Sequence, residues 1–183
     1  PIVGCEFYLV EDRHKKQFTK EQKDVRRHQL LLAKNAEGYR NLAKLCSLGF
    51  IEGMYGKYPR IDRELLVKYH KGLIATTCCI GASVPQAIIK KGEEAGRQEF
   101  KWWLDLFGDD YYLEIQRHGI RDQIIANEAL LKYAKEFNVK VICSNDSHYV
   151  EQDDANAHDI LLCVNTGDKQ ATPTNKDFDD ANP

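Results

Sequence analysis

Methionine is almost missing from this 183-residue chain: it occurs once, at Met54, and residue 1 is Pro. The first residue is therefore expected not to be a natural start, and the chain is read as cut from a longer polypeptide. No apolar run reaches the roughly 20 residues a membrane helix needs, and no signal-peptide core is present, so no membrane partner is expected. Positive charge is not in excess either. Lys and Arg number 26 against 28 Asp and Glu, a formal net charge of −2, which argues against a broad basic surface for gripping nucleic acid. Any contact with DNA has to rest on a local site.

Cysteine is present, but not in a metal-ribbon or disulfide pattern. Cys5, Cys46, Cys78, Cys79, Cys143 and Cys163 include no C-x-x-C pair. Several lie in apolar stretches, where a free thiol packs as a small hydrophobe, and a reducing, cytoplasmic setting is expected. With 43% apolar and 30% charged residues, the composition suits one soluble domain with a sizeable core.

Hydrophobic patterning predicts strands over Val3 to Val10, His28 to Ala33, Leu73 to Ile80, Tyr111 to Gln116 and Val139 to Ser144. Between them, Asn35 is a candidate N-cap for a helix with the stripe Tyr39, Leu42, Leu45 and Cys46, closing at Gly49. Asp62 caps a short helix ending near Gly72, and Ser83 opens another. Phe100, Trp103, Leu104 and Phe107 mark a helix stopped by Gly108. Ile120, Ile124, Asn127, Leu131 and Ala134 mark a long one, and Ala157, Ile160, Leu161 and Val164 share a face of the last. The charged stretch Glu11 to Arg27 reads as a solvated excursion. Strands alternating with helices imply βαβ units and a parallel sheet, open or closed into a barrel. The polar segment 171–183 is expected to be a disordered tail after a domain spanning 1–170.

Residues able to bind metal recur just beyond the strand ends. Cys79 ends the third strand, His118 follows the fourth, and Asp146 and His148 follow the fifth. In a parallel α/β sheet the carboxyl ends converge on one face, where ligands and catalytic groups gather. Glu6 is a charge inside an apolar strand, which is costly unless paired or bound to a cation. A carboxylate with an imidazole suits zinc, manganese or iron better than calcium. Each residue also has a structural reading: Asp146 as a turn cap, His118 as a turn histidine, Cys79 as core, Glu6 as an edge carboxylate facing water. His14, His28 and His70 read as surface residues, and His158 as structural.

Seven motifs then match one family in its order. They are G-C-E-F-Y (Gly4 to Tyr8), L-L-A-K-N with G-Y-x-N-L (Leu31 to Leu42), P-R-I-D (Pro59 to Asp62) and L-I-A-T-T-C-C (Leu73 to Cys79). E-I-Q-R-H-G-I (Glu114 to Ile120), N-D-S-H-Y (Asn145 to Tyr149) and A-H-D-I-L-L-C-V-N-T-G (Ala157 to Gly167) complete the set. The chain resembles the PHP (polymerase and histidinol phosphatase) domain of bacterial replicative polymerase III alpha subunits.

The resemblance implies an α/β fold, part of a distorted (β/α)7-like, TIM-like barrel missing its first strands. It implies up to three divalent metal ions, zinc or manganese, with Glu6, Cys79, His118, Asp146 and His148 on ligand positions. Cys78 competes with Cys79, and His118 has a second reading as general acid or base. The family's opening H-x-H pair has no counterpart here, so the ligand set is incomplete and the chain alone is expected to be inactive. Implied for the parent are DNA polymerisation, 3′–5′ exonuclease chemistry, and DNA and other holoenzyme subunits as partners. The alternatives are a catalytically silent PHP scaffold and a stand-alone PHP phosphoesterase.

Overall fold

The computed structural model describes residues 1–172; most of the segment expected as a tail, 173–183, lies outside them. Two compact units divide the chain, Pro1–Asn145 and Asp146–Pro183.

In the first unit six strands form one sheet in the order β3-β1-β2-β4-β5-β6. They are β1 (Gly4–Leu9), β2 (Arg27–Ala33), β3 (Arg60–Ile61), β4 (Leu73–Thr76), β5 (Tyr111–Ile115) and β6 (Val141–Cys143). The α/β class holds, but the sheet is mixed, not parallel throughout. β2 runs antiparallel to both β1 and β4, whereas β1–β3, β4–β5 and β5–β6 are parallel pairs. The reversal has a positional consequence. Where the other strands present their carboxyl ends, β2 presents its amino end, so Arg27 and His28 join that rim.

Five helices accompany the sheet: α1 (Ala36–Ile51), α2 (Arg63–Tyr69), α3 (Ser83–Lys91), α4 (Glu93–Phe107) and α5 (Arg121–Phe137). Asn35 caps α1 by accepting from the Gly38 N–H at 2.9 Å, and Asp62 caps α2 by accepting from Leu65 N–H at 3.2 Å, as their positions before apolar stripes predict. α1 runs two residues past Gly49 because that glycine packs against Ile61, so it is a close-packing residue and not a stop. Leu42 and Leu45 are buried, while Tyr39 faces out. On α4, Phe100 and Trp103 are fully buried and meet Tyr111 of β5 at ring-centroid distances of 5.1 and 6.2 Å. Each such side chain contributes roughly 1.5–3 kcal/mol of burial energy.

Two expectations need correction here. The stripe assigned to α5 is mostly on its exposed side: Ile120, Ile124 and Leu131 are exposed and Asn127 is intermediate, whereas Ala134 is buried with Gln123, Ala126, Ala129, Leu130 and Tyr133. Alanine lets the helix backbone approach the sheet closely, so the smaller residues, not the bulkier ones, form the contact face. The stretch Glu11 to Arg27 is also more than a solvated loop. Arg13 is 5% exposed and its Nη1 donates to both oxygens of Asp62 at 2.9 Å, while its Nε donates to Glu52 at 2.7 Å. Arg60, fully buried, holds Asp24 at 2.7 Å and thereby ties down the far end of the same stretch.

The second unit contains α6 (Ala155–Thr166). No α6 residue is buried, and Ile160, Leu161 and Val164, which share a face, are exposed.

Candidate functional site

Strand alternation sets which side chains share a face. Glu6 stands opposite Leu30, and Leu31 opposite Ala75, so Glu6, His28, Thr76 and Glu114 emerge on one face of the sheet. Phe7, Leu9, Leu31 and Leu113 fill the other face and pack into the core.

β4 ends at Thr76, so Cys78 and Cys79 lie beyond the strand, contrary to the expected strand to Ile80. Cys78 adopts a left-handed φ of 55°, uncommon for a residue with a side chain, and the simple alternation argument for choosing between the two cysteines does not apply. The contacts differ between the two. The Cys79 sulfur lies 3.4 Å from His28 Nδ1, and that nitrogen lies 3.2 Å from Glu6 Oε1. His28, read as a surface residue, keeps a side chain that is 39% exposed and also joins the carboxylate to the thiol. The signal was available in the sequence only if β2 were known to be reversed, since its first residues then sit at the functional rim.

The Cys79 thiol is pulled down to about 6, first by a hydrogen bond from the Cys78 thiol, then by the Gly81 backbone N–H and His28, against an opposing effect of burial. Cys78 moves the opposite way: its hydrogen bond to Cys79 and its burial hold its proton on. Of the pair, Cys79 is the thiol whose ionisation is favoured and Cys78 the one whose ionisation is opposed. A thiolate is the form that ligates metal.

His118 follows β5. Its backbone N–H donates to Gln123 Oε1 at 2.8 Å, which fixes the direction of that amide and turns Gln123 Nε2 toward the ring at 3.1 Å from Nδ1. An amide nitrogen only donates, so Nδ1 accepts and the neutral ring carries its proton on Nε2. Proton donation in catalysis would need the imidazolium, with both ring nitrogens protonated. Ligation through Nε2 would need the proton on Nδ1, facing another donor.

Sequence reasoning did not single out Glu114, which is 6% exposed on the same face. Its carboxylate accepts from Thr76 Oγ1 at 2.6 Å, from Gln116 Nε2 at 3.1 Å and from the Ser144 hydroxyl. Thr76 Oγ1 in turn accepts from the Cys78 N–H at 3.0 Å. These bonds tie together the ends of β4, β5 and β6, from which the candidate residues project.

Asp146 and His148 belong to the second unit. His148 Nδ1 lies 2.8 Å from the Asp146 carbonyl oxygen and 3.8 Å from its carboxylate, so the two share a tight turn. His158 packs beside the His148 ring at a centroid distance of 5.7 Å.

The donor types suit zinc or manganese. Two ligand atoms of a tetrahedral zinc lie about 3.3–3.6 Å apart for bonds of about 2.0–2.3 Å, close to the spacings around His28 Nδ1. The fit is partial. Glu6 and Cys79 meet on one nitrogen without closing into a cage, and among the described residues no group of three or more His, Cys, Asp and Glu is gathered closely enough to hold a metal ion.

This mixed sheet, with acid, imidazole and thiol side chains on its rim, is matched over residues 1–118 by the PHP domain family, and the chain belongs to that family. The chain is also 46% identical over 174 residues to the DNA polymerase III subunit alpha of Borreliella burgdorferi, covering 93% of this chain and 15% of that relative. The subunits of the same name from Deinococcus radiodurans and Thermus aquaticus are 41% and 39% identical, covering 91% and 90% of this chain and 13% of each relative. The chain thus spans about one seventh of the length of these curated relatives. Among the described residues no helix is long and apolar enough to cross a membrane.

Proposed function

We propose that this chain is part of the PHP domain of a replicative DNA polymerase III alpha subunit, and that the intact domain is a metal-dependent 3′–5′ exonuclease acting on DNA. The parent would be a DNA-directed DNA polymerase working in the cytoplasm with the other holoenzyme subunits. The observation that carries the nuclease reading is His28 Nδ1, in contact with both the Glu6 carboxylate and the Cys79 sulfur on the rim of the sheet.

Glu6, His28, Cys79, Asp146 and His148 would hold the metal ions, zinc or manganese, with further ligands from outside this chain. Bound cations would supply a water of lowered pKa, orientation of the scissile phosphate and compensation of charge on the leaving oxygen. The chain's own residues do the rest. Cys78 would favour the ionised form of Cys79 by donating to it. Gln123 orients the His118 ring through Nδ1. His118 would act as general acid only as the imidazolium, giving one proton to the leaving 3′ oxygen and returning to the neutral ring, and the ligand role stands beside that reading. Glu114 fixes the strand ends from which these groups project.

A test is degradation of single-stranded DNA from its 3′ end by the intact polypeptide, beside primer extension by the same sample. Loss of degradation in His148→Ala with extension retained supports the reading. Degradation unchanged in both His148→Ala and Glu6→Gln sinks it. A second reading, a scaffold without hydrolysis, is favoured by one observation: the described residues do not gather into a cage. Intact protein that neither binds metal nor cuts DNA would establish it.

A further inference from the structure

Arg27 and His28 are neighbours on β2 and therefore project to opposite faces of the sheet. His28 faces Glu6. Arg27 faces a cavity of about 400 Å³ on the other side, between the end of β1, the start of α2, α3 and the middle of α4. That volume falls within the range of small-molecule sites, about 300–1,000 Å³.

The lining has two chemical parts. Leu9, Val10 and Val25 supply an apolar wall. Around it stand four cations and two carboxylates, of which Arg63 and Glu99 neutralise each other through a close ion pair, Arg63 also lying over the Trp102 ring. Arg27, Lys90 and Lys91 remain against Glu11 alone. Ser83, Gln86, Ala87, Lys90 and Lys91 recur at helical spacing, so one side of α3 runs along the cavity and ends in its two lysines.

Arg27 is half-buried. Its Nη1 donates to Gln86 Oε1 at 3.1 Å, a neutral acceptor. A guanidinium has five N–H donors, and a partly desolvated one without a carboxylate at hydrogen-bonding distance is matched by a bidentate oxyanion. Lys90 and Lys91 are exposed and can reach the same anion as mobile point charges. A bare inorganic anion would leave the apolar wall unused. A nucleoside phosphate uses both parts, its base against Leu9, Val10 and Val25 and its phosphates between Arg27 and the lysine pair.

We propose that this cavity is a second site, separate from the metal-binding rim, that takes a nucleoside phosphate. The ligand is either a free nucleotide or the terminal nucleotide of a single strand, which present the same phosphate chemistry.

The experiment is photolabelling of the intact polypeptide with 8-azido-dATP, with adducts mapped by mass spectrometry, so that label at a polymerase active site elsewhere is read separately. Adducts are expected in the segments 9–11, 25–27 and 83–91. The double variant Lys90→Glu, Lys91→Glu should lower that labelling at least tenfold, because exposed lysines can be reversed without loss of packing. Lys135→Glu, on the exposed side of α5, should leave it unchanged. Competition by dATP at lower concentration than oligo(dT) identifies a free nucleotide; the reverse identifies a strand end. No adduct in these segments, or equal labelling in the double variant, overturns the proposal.

Discussion

His28 Nδ1 and Cys79 Sγ lie 3.4 Å apart although 51 positions separate them in the chain. The reversed strand β2 makes this approach possible by carrying His28 to the rim, where the turn after β4 holds Cys79. If His28 is a ligand, His28→Ala in the intact polypeptide should lower metal affinity at least tenfold, read by equilibrium dialysis against zinc. Unchanged affinity would return His28 to a packing role.

His118 has two readings, general acid and metal ligand, which experiment separates. As general acid, its loss in His118→Ala should reduce hydrolysis by about 10²–10⁴-fold while metal content stays the same. Gln123→Leu, which removes the donor to Nδ1 but leaves the ring, should give a smaller loss. Metal lost along with activity in His118→Ala would reassign the residue as a ligand.

The close approach of α1 to the turn before β4 depends on two glycines. A Cβ on Gly38 would stand 1.7 Å from the Gly72 carbonyl oxygen, and both partners are backbone. Gly72 itself has a φ of 71° and is poorly placed to shift. Gly38→Ala should destabilise the domain by about 1–3 kcal/mol, measured as a lower denaturant midpoint at unchanged slope. An unchanged midpoint would mean that α1 is seated further from β4.

Asp62 is 4% exposed and relies on Arg13 for charge compensation. Arg13→Ala leaves that carboxylate buried and unpaired, at a cost of about 3–5 kcal/mol. The same variant should free the segment 11–27, read as faster proteolysis there. A loss under 1 kcal/mol would show that water reaches Asp62.

Much of this fold is written in short-range patterns. Asn35 and Asp62 announce their helices by capping chemistry, and Phe100, Trp103 and Phe107 by their spacing. The direction of β2 is not written that way, because an apolar strand reads the same whichever way its neighbours run; the parallel sheet was therefore the wrong expectation, and His28 was missed with it. α5 misled for a related reason. Its contact face uses alanines, and a pattern search weights Ile120, Ile124 and Leu131 more heavily. At the candidate site, Glu6 stood out as a charge inside an apolar strand and Cys79 by its place at a strand end, and the structure brings both to His28. The choice between Cys78 and Cys79 was not legible, because it depends on a backbone turn that no periodicity encodes.

The most direct test of the metal-centre account is X-ray absorption at the zinc edge on the intact polypeptide loaded with zinc. The account predicts a sulfur scatterer at about 2.3 Å beside nitrogen and oxygen at about 2.0–2.2 Å, with the sulfur contribution lost in Cys79→Ser and retained in Cys78→Ser. Bound zinc without sulfur, or sulfur that survives Cys79→Ser, would contradict it.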